Sequence, residues 1–225
     1  MIQRGLGFLS LVVVLVALYM AFVYTPPDSF QGDVMRVFYF HVAAAWNAYL
    51  AFFVVFLSSI AFLVSKKELY DQLAVSSAEI GVLFTSITLV MGSTWSRAIW
   101  GAWWVWEPRL TTTLILWFIY VAYLLIRASI ETREKGARFA AMFAIVGFVD
   151  VPIVHLSVSW WRSVHPTVIN TGGTMAMADV MLRTMLIAVV GFSLLYVYLV
   201  LFRYRTQVLT DTLIKFKNVM REVRL

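Results

Sequence analysis

Ile80–Ser96 (IGVLFTSITLVMGSTWS), Arg97–Arg109 (RAIWGAWWVWEPR) and Leu110–Ile126 (LTTTLILWFIYVAYLLI) follow one another without a gap, and together they decide the fold. The outer two runs contain no Asp, Glu, Lys or Arg. Each falls within the roughly 17 to 25 apolar residues that cross a bilayer as a helix. The middle run is too short to be a domain, so the three form a membrane hairpin whose turn carries the chemistry. That turn is unusual: Trp95–Trp106 holds five of the nine tryptophans of the chain in twelve residues. So much flat, amphipathic indole, broken by Gly101 and closed by Glu107, Pro108 and Arg109, reads as a platform for something flat and greasy.

The rest of the chain repeats the pattern. Apolar runs at Leu6–Tyr24, Val42–Val64, Phe139–Trp161 and Thr184–Phe202 bring the expected spans to six. A chain of 225 residues that is 62% hydrophobic and 13% charged, with a mean hydropathy of +0.84, belongs to the membrane class. The first run lacks a small-residue cleavage site and ends in Tyr24-Thr-Pro-Pro27, so it reads as a retained span rather than a signal peptide. The expectation is an all-α polytopic bundle, residues 1–225 forming a single integral-membrane domain. The absence of cysteine excludes disulfides, thiolate metal sites and cysteine nucleophiles. Any metal must be held by His, Met or carboxylate, or arrive inside a cofactor.

The net charge of +6 reports topology before it reports a nucleic acid. With the N-terminus cytoplasmic, thirteen of the eighteen Lys and Arg fall inside and five (Arg36, Arg97, Arg109, Arg162, Arg183) fall outside. Both termini are therefore expected in the cytoplasm. The basic tail, residues 203–225, reads as a lipid-surface anchor; without interleaved aromatics it does not read as a nucleic-acid site.

This orientation puts residues 25–41, 97–109 and 162–183 on the outer face, and the chemistry gathers there. His41 stands at the outer end of the second span and His165 just beyond the fifth, with the tryptophan-rich segment 95–109 between them in sequence. Two imidazoles flanking an aromatic platform suit axial ligation of a haem, one neutral nitrogen on each side of the iron. The competing reading is that each is an ordinary interfacial histidine in a tryptophan belt.

Trp100-Gly-Ala-Trp-Trp-Val-Trp-Glu-Pro-Arg-Leu-Thr111 resembles the tryptophan-rich "WWD" signature of the haem-handling proteins of cytochrome c biogenesis. The chain as a whole resembles the CcmC family in size, span number and the position of this segment. Arg36-Val-Phe-Tyr-Phe-His41-Val-Ala-Ala-Ala-Trp46 and Pro152–His165 resemble the stretches that carry the family's two outward histidines. The resemblance implies a component that holds haem b at the outer face of the bacterial cytoplasmic membrane and helps load it onto a membrane-anchored chaperone of the CcmE type. It implies partners of the CcmA, CcmB and CcmD types and a transfer role rather than catalysis. Carried over residue by residue, His41 and His165 would be the iron ligands, Trp100, Trp103, Trp104 and Trp106 would touch the porphyrin, and Arg36 and Arg109 would meet the propionates. For the arginines, lipid headgroups or a neighbouring acid such as Asp33 are the alternative partners. The family aspartate is replaced by Glu107, which is either a ligand contact or an anionic cap of the helix that Pro108 starts. If residues 100–104 were helical, Trp100, Trp103 and Trp104 would share one face.

Other polar residues carry weaker readings. Asp150 falls mid-span and is expected to be neutral or hydrogen-bonded to a Ser or Thr of another helix. His155 follows Pro152, which should kink its span; an interhelical hydrogen bond is its favoured role, an alternate ligand the sharper one. Met175, Met177 and Met181 are soft enough to ligate iron, though Met is also common filler. Two other functions compete. A cytochrome c synthase of the related biogenesis system would be larger, with more intramembrane histidines than three in all allow. A permease subunit of an ABC transporter lacks support from any coupling segment, and no P-loop pattern occurs.

Overall fold

The computed structural model describes residues 2–130, 132–161, 165 and 177–223. Arg162, Met175 and Arg224, which carry expectations above, lie outside the described residues. The elements are α1 (Ile2–Tyr19), a π-helical turn (Met20–Tyr24), α2 (Met35–Ser65), α3 (Glu68–Trp100), α4 (Pro108–Ser129), α5 (Arg133–Gly147), α6 (Asp150–Trp160) and α7 (Asp179–Val223). Among the described residues there is no strand, only an isolated bridge between Asp28 and Gly32.

Among the described residues, six helical stretches are long and apolar enough to cross a membrane: Gln3–Tyr24, Met35–Ser65, Glu68–Trp100, Pro108–Ser129, Arg133–Trp160 and Asp179–Ile214. They contain five of the six expected spans whole and the fifth, Phe139–Trp161, to within its last residue. Several run past the apolar stretch, because polar residues at a helix end continue the backbone ladder in water as readily as in lipid. In a bilayer every backbone group must find its partner within the segment, which is why spans of this composition become helices.

Small residues set the packing. Ala43, Ala44, Ala48 and Ala51 of α2 are buried against α3 and α7, and Phe52 stacks on Tyr120 of α4 with ring centroids 3.7 Å apart. Helices with little hydrophobic drive between them associate through such close approach. α1 lies against α7 at one side, and α5 and α6 lie against α4 at the other.

The fifth span is broken, as Pro152 predicts. α5 ends at Gly147 and α6 begins at Asp150, with turn residues between. The proline ring collides with the carbonyl four residues back, here Phe148, and the interruption falls there. Asp150, at the start of α6, does not make the expected bond to a neighbouring hydroxyl: its buried Oδ2 has no partner among the described residues.

The basic tail continues the last span. α7 continues to Val223 as one helix of 45 residues and does not turn aside at Arg203. Its first inner turns belong to the bundle: Arg203 binds Glu79, Arg205 binds Gln3, and Asp211 is buried against Gln72 and Arg133. Partners on α3 and α5 hold this part of the tail to the protein.

Candidate functional site at the loop-rich end of the bundle

The start of α2, the end of α3, the start of α4 and the end of α6 meet at one end of the bundle, and the site is built from these ends. His41 lies in the second turn of α2. A carbonyl oxygen can only accept, so the 3.1 Å contact between His41 Nδ1 and the Thr88 carbonyl makes Nδ1 the protonated nitrogen. The Nε2 lone pair is then left to bind a metal, the arrangement in which a backbone oxygen fixes the tautomer of a ligating histidine. Gly92, one turn beyond Thr88, makes room for the ring: a Cβ there would stand 3.1 Å from His41 Cε1.

His165 reaches the same place from the far side. Its ring centroid lies 6.5 Å from that of His41, with the planes inclined by 34°. An imidazole nitrogen sits about 2 Å from a bound transition metal, with the ring centre about 1 Å behind it, so two imidazoles on opposite sides of one iron stand about 6 Å apart. The observed spacing fits a single iron between the rings. Arg109, in the first turn of α4, bridges this pair to α6. Its Nη1 is 3.4 Å from His165 Nδ1 and its Nη2 donates to the His155 carbonyl at 3.1 Å.

The tryptophan-rich segment is not a helical stripe. α3 ends at Trp100 because Gly101 takes φ +75°, a left-handed conformation that closes the helix and that glycine adopts without cost. Residues 101–107 then run without helix, so Trp100, Trp103 and Trp104 do not share a face. Instead the indoles pair edge to face, Trp95 with Trp100 at 5.1 Å and Trp104 with Trp106 at 5.6 Å. Trp103 and Trp106 stay open, at 60% and 76% exposure.

Residues without any signature hold the segment down. Ser93 donates to the Trp103 carbonyl at 2.6 Å, Ser96 donates to the Ala102 carbonyl at 2.7 Å, and Arg97 donates to the Gly101 carbonyl. Trp95 Nε1 donates to Gln31 at 3.0 Å, joining the segment to residues 25–34. The one available signal for these positions was their spacing, hydroxyls three residues apart on the last turns of a helix that leads into the motif.

Glu107 is 5% exposed and its Oε1 accepts from the Leu110 N–H at 2.7 Å, with Pro108 in the first helical position. It is the anionic cap of α4. Arg36 has the acid neighbour anticipated for it: Nε donates to Asp33 at 2.7 Å, and Nη1 donates to the Ala21 carbonyl. The ring of His155 is exposed and forms no interhelical bond among the described residues.

Two donors of the segment lack acceptors among the described residues, Trp104 Nε1 and Arg109 Nε, both buried. A buried donor without an acceptor is costly, so both groups are candidates for a bond to a ligand. At the same end of the bundle opens a cavity of about 490 Å³, lined by residues that include Phe38, Trp95, Met177 and Met181; neither His41 nor His165 lines it. Phe38 is three residues before His41, and Trp95 three after Gly92. Only through these chain neighbours is the cavity, with Met177 and Met181 in its wall, tied to the imidazole pair.

Comparison with known proteins identifies the family. The model of the CcmC family, described as "Heme exporter protein C", matches residues 1–218. The chain belongs to the CcmC family. Among curated members of that family, "Heme exporter protein C" of Haemophilus influenzae is 33% identical over 206 residues, which is 91% of this chain and 84% of the relative. The protein of the same name from Escherichia coli K12 is 33% identical over 204 residues, 91% of this chain and 82% of the relative. A "Putative cytochrome c biosynthesis ccmC-like mitochondrial protein" of Marchantia polymorpha is 36% identical over 186 residues, 82% of this chain and 79% of the relative. This CcmC chain is thus a multi-pass membrane protein of cytochrome c biogenesis, and the family description is that of a transport component rather than a catalyst.

Proposed function

We propose that this CcmC protein binds haem b between His41 and His165 at the outer face of the membrane and passes it to a membrane-anchored chaperone of the CcmE type. The single observation that carries the reading is the 6.5 Å spacing of the two rings, contributed by α2 and by a segment 124 residues later in the chain. The orientation rests on the positive-inside bias. Arg127, Arg133 and Arg203 at the opposite end are ion-paired, but the rule counts Lys and Arg and not net charge.

Each residue has a task. His41 offers Nε2, its tautomer set by the Thr88 carbonyl. His165 offers the second nitrogen. A guanidinium can only donate, so while Arg109 faces Nδ1 the neutral ring of His165 carries its proton on Nε2. Arg109 must swing away before His165 can ligate through Nε2, and a propionate draws it off, since guanidinium–carboxylate pairs are strong and often bidentate. Trp104 Nε1 supplies a further donor, and Arg36, whose Nη2 makes no bond among the described residues, offers it to a second carboxylate. Trp100, Trp103, Trp104 and Trp106 cover one edge of the porphyrin, while the cavity beside Phe38 and Trp95 receives another. Glu107 acts through the backbone by starting α4 and so fixing where Arg109 begins.

A site on helix ends and loops can shield a reactive cargo and still open an edge to a partner. Subunits of the CcmA, CcmB and CcmD types complete the assembly in this reading. The test is an absorption spectrum of haem-loaded protein in detergent. The parent should show a six-coordinate low-spin haem, and His41→Ala and His165→Ala should each lose haem or turn high-spin. Unchanged spectra in both variants overturn the assignment.

A further inference from the structure

Among the groups outside the imidazole pair, the ring of His155 is the most anomalous. It lies on α6, five residues before Trp160, which places it about 8 Å inside the helix end at 1.5 Å per residue. Trp160 and Trp161, 58% and 52% exposed, mark the interfacial level. The imidazole is therefore within the outer leaflet, exposed, and without a hydrogen-bond partner among the described residues. Polar side chains at that depth normally face the bundle or pair with another group, because lipid offers nothing in exchange for lost water. Ser159, on the same face one turn outward, satisfies itself by donating to the Leu156 carbonyl at 2.8 Å. His155 has no such outlet. α6 packs mainly against α4, and Pro152 and Val149 carry the exposed face further inward.

The anomaly is coupled to the site. Arg109 Nη2 holds the backbone carbonyl of His155 while Nη1 faces His165. One guanidinium thus spans the lipid-facing histidine and the outer pair. A ligand that dissolves in lipid, carries carboxylates and has an open metal position would meet His155 from the membrane, Arg109 next, and the His41–His165 pair last.

We propose that His155 is an entry ligand: it takes up haem that reaches the protein sideways through the outer leaflet and presents it to Arg109 and His165. The inference rests on the haem-binding reading given above. His155 donates a nitrogen lone pair to iron, and that dative bond is later exchanged for one from His165 or His41. No electron changes hands and no covalent bond breaks.

The test compares two sources of haem for the full chain in lipid nanodiscs: haem predissolved in phosphatidylcholine vesicles, and haem carried in water by serum albumin. His155→Ala should slow the appearance of the low-spin spectrum from vesicles by about tenfold or more, a change a single lost ligand interaction can produce. It should leave loading from albumin and the final spectrum unchanged. His155→Met, which can still ligate, should restore part of the rate; His155→Gln, which only hydrogen-bonds, should not. Equal rates from vesicles in parent and His155→Ala overturn the proposal, as does a His155→Gln variant as fast as the parent, which would mean a polar contact to a neighbouring transmembrane helix. If the parent itself never shows the low-spin spectrum, the haem-binding reading fails, which is a separate outcome.

Discussion

The two ends of this bundle solve opposite problems. At the end away from the tryptophans, charges are matched and closed in. Asp71 is held by both terminal nitrogens of Arg127, with side chains 6% and 12% exposed. Asp211 accepts from Gln72 and Arg133, each at 2.6 Å, and Arg203 binds Glu79. These contacts clasp α3, α4, α5 and α7. At the other end, Trp104 Nε1 and Arg109 Nε are buried without acceptors among the described residues, and large indoles stand open. One end is tied by ion pairs within the chain, while the other presents donors for which a bound cargo is the proposed acceptor. A transport component needs both, a fixed base and a mouth whose unsatisfied groups are completed by cargo.

Four changes would break or sharpen this contrast. The largest effect belongs to the closed end. Asp71→Asn leaves Arg127 buried without its counter-charge, and breaking a buried pair in this way costs about 3–5 kcal/mol. Thermal unfolding in detergent should fall sharply, while whatever folded protein remains should bind haem with the parental spectrum. A normal melting point would mean the clasp is slack. Next comes Gly92→Ala. Its methyl group, 3.1 Å from His41 Cε1, should push the ring off the Thr88 carbonyl, lowering haem affinity with little change in stability. Equal affinity in a haem titration would show that His41 needs no such cradle.

Smaller losses are expected from the strap. Ser93→Ala with Ser96→Ala frees two carbonyls of the tryptophan segment, each bond being worth about 1 kcal/mol. Faster proteolysis between residues 100 and 107 should accompany weaker haem retention. If cleavage stays slow, Arg97 alone holds the loop. Smallest is Glu107→Asp, which keeps a carboxylate cap, since aspartate is a good N-cap residue. Stability and haem retention should both stay near parental values. A clear gain in retention would instead mean that the shorter acid touches the cargo.

What the sequence reveals depends on how local the cause is. The six spans follow from apolar length alone, the break near Phe148 from a single proline, and the cap at Glu107 from its place before Pro108. The convergence of His41 and His165 was legible because alternating spans put both at one end, although only coordinates give their spacing. The tryptophan stripe failed because one left-handed glycine outweighs the periodicity of its neighbours. The closed end was invisible for another reason. Arg127 and Asp71 are 56 residues apart in the chain, and Arg203 and Glu79 124, so their pairing depends on how each helix is rotated, which no local pattern encodes. At the start of the tail, Arg203 and Asp211 have protein partners on the bundle that their local sequence does not reveal.

The most direct measurement removes each imidazole and then replaces it from solution. His41→Gly and His165→Gly, loaded with haem, should each give a high-spin or depleted spectrum, and added imidazole should return both to the low-spin form of the parent. Restoration in both would mean that each side chain occupied one face of the same iron. A low-spin spectrum that persists in either variant without imidazole would contradict the account, because the iron would then be held by some other pair.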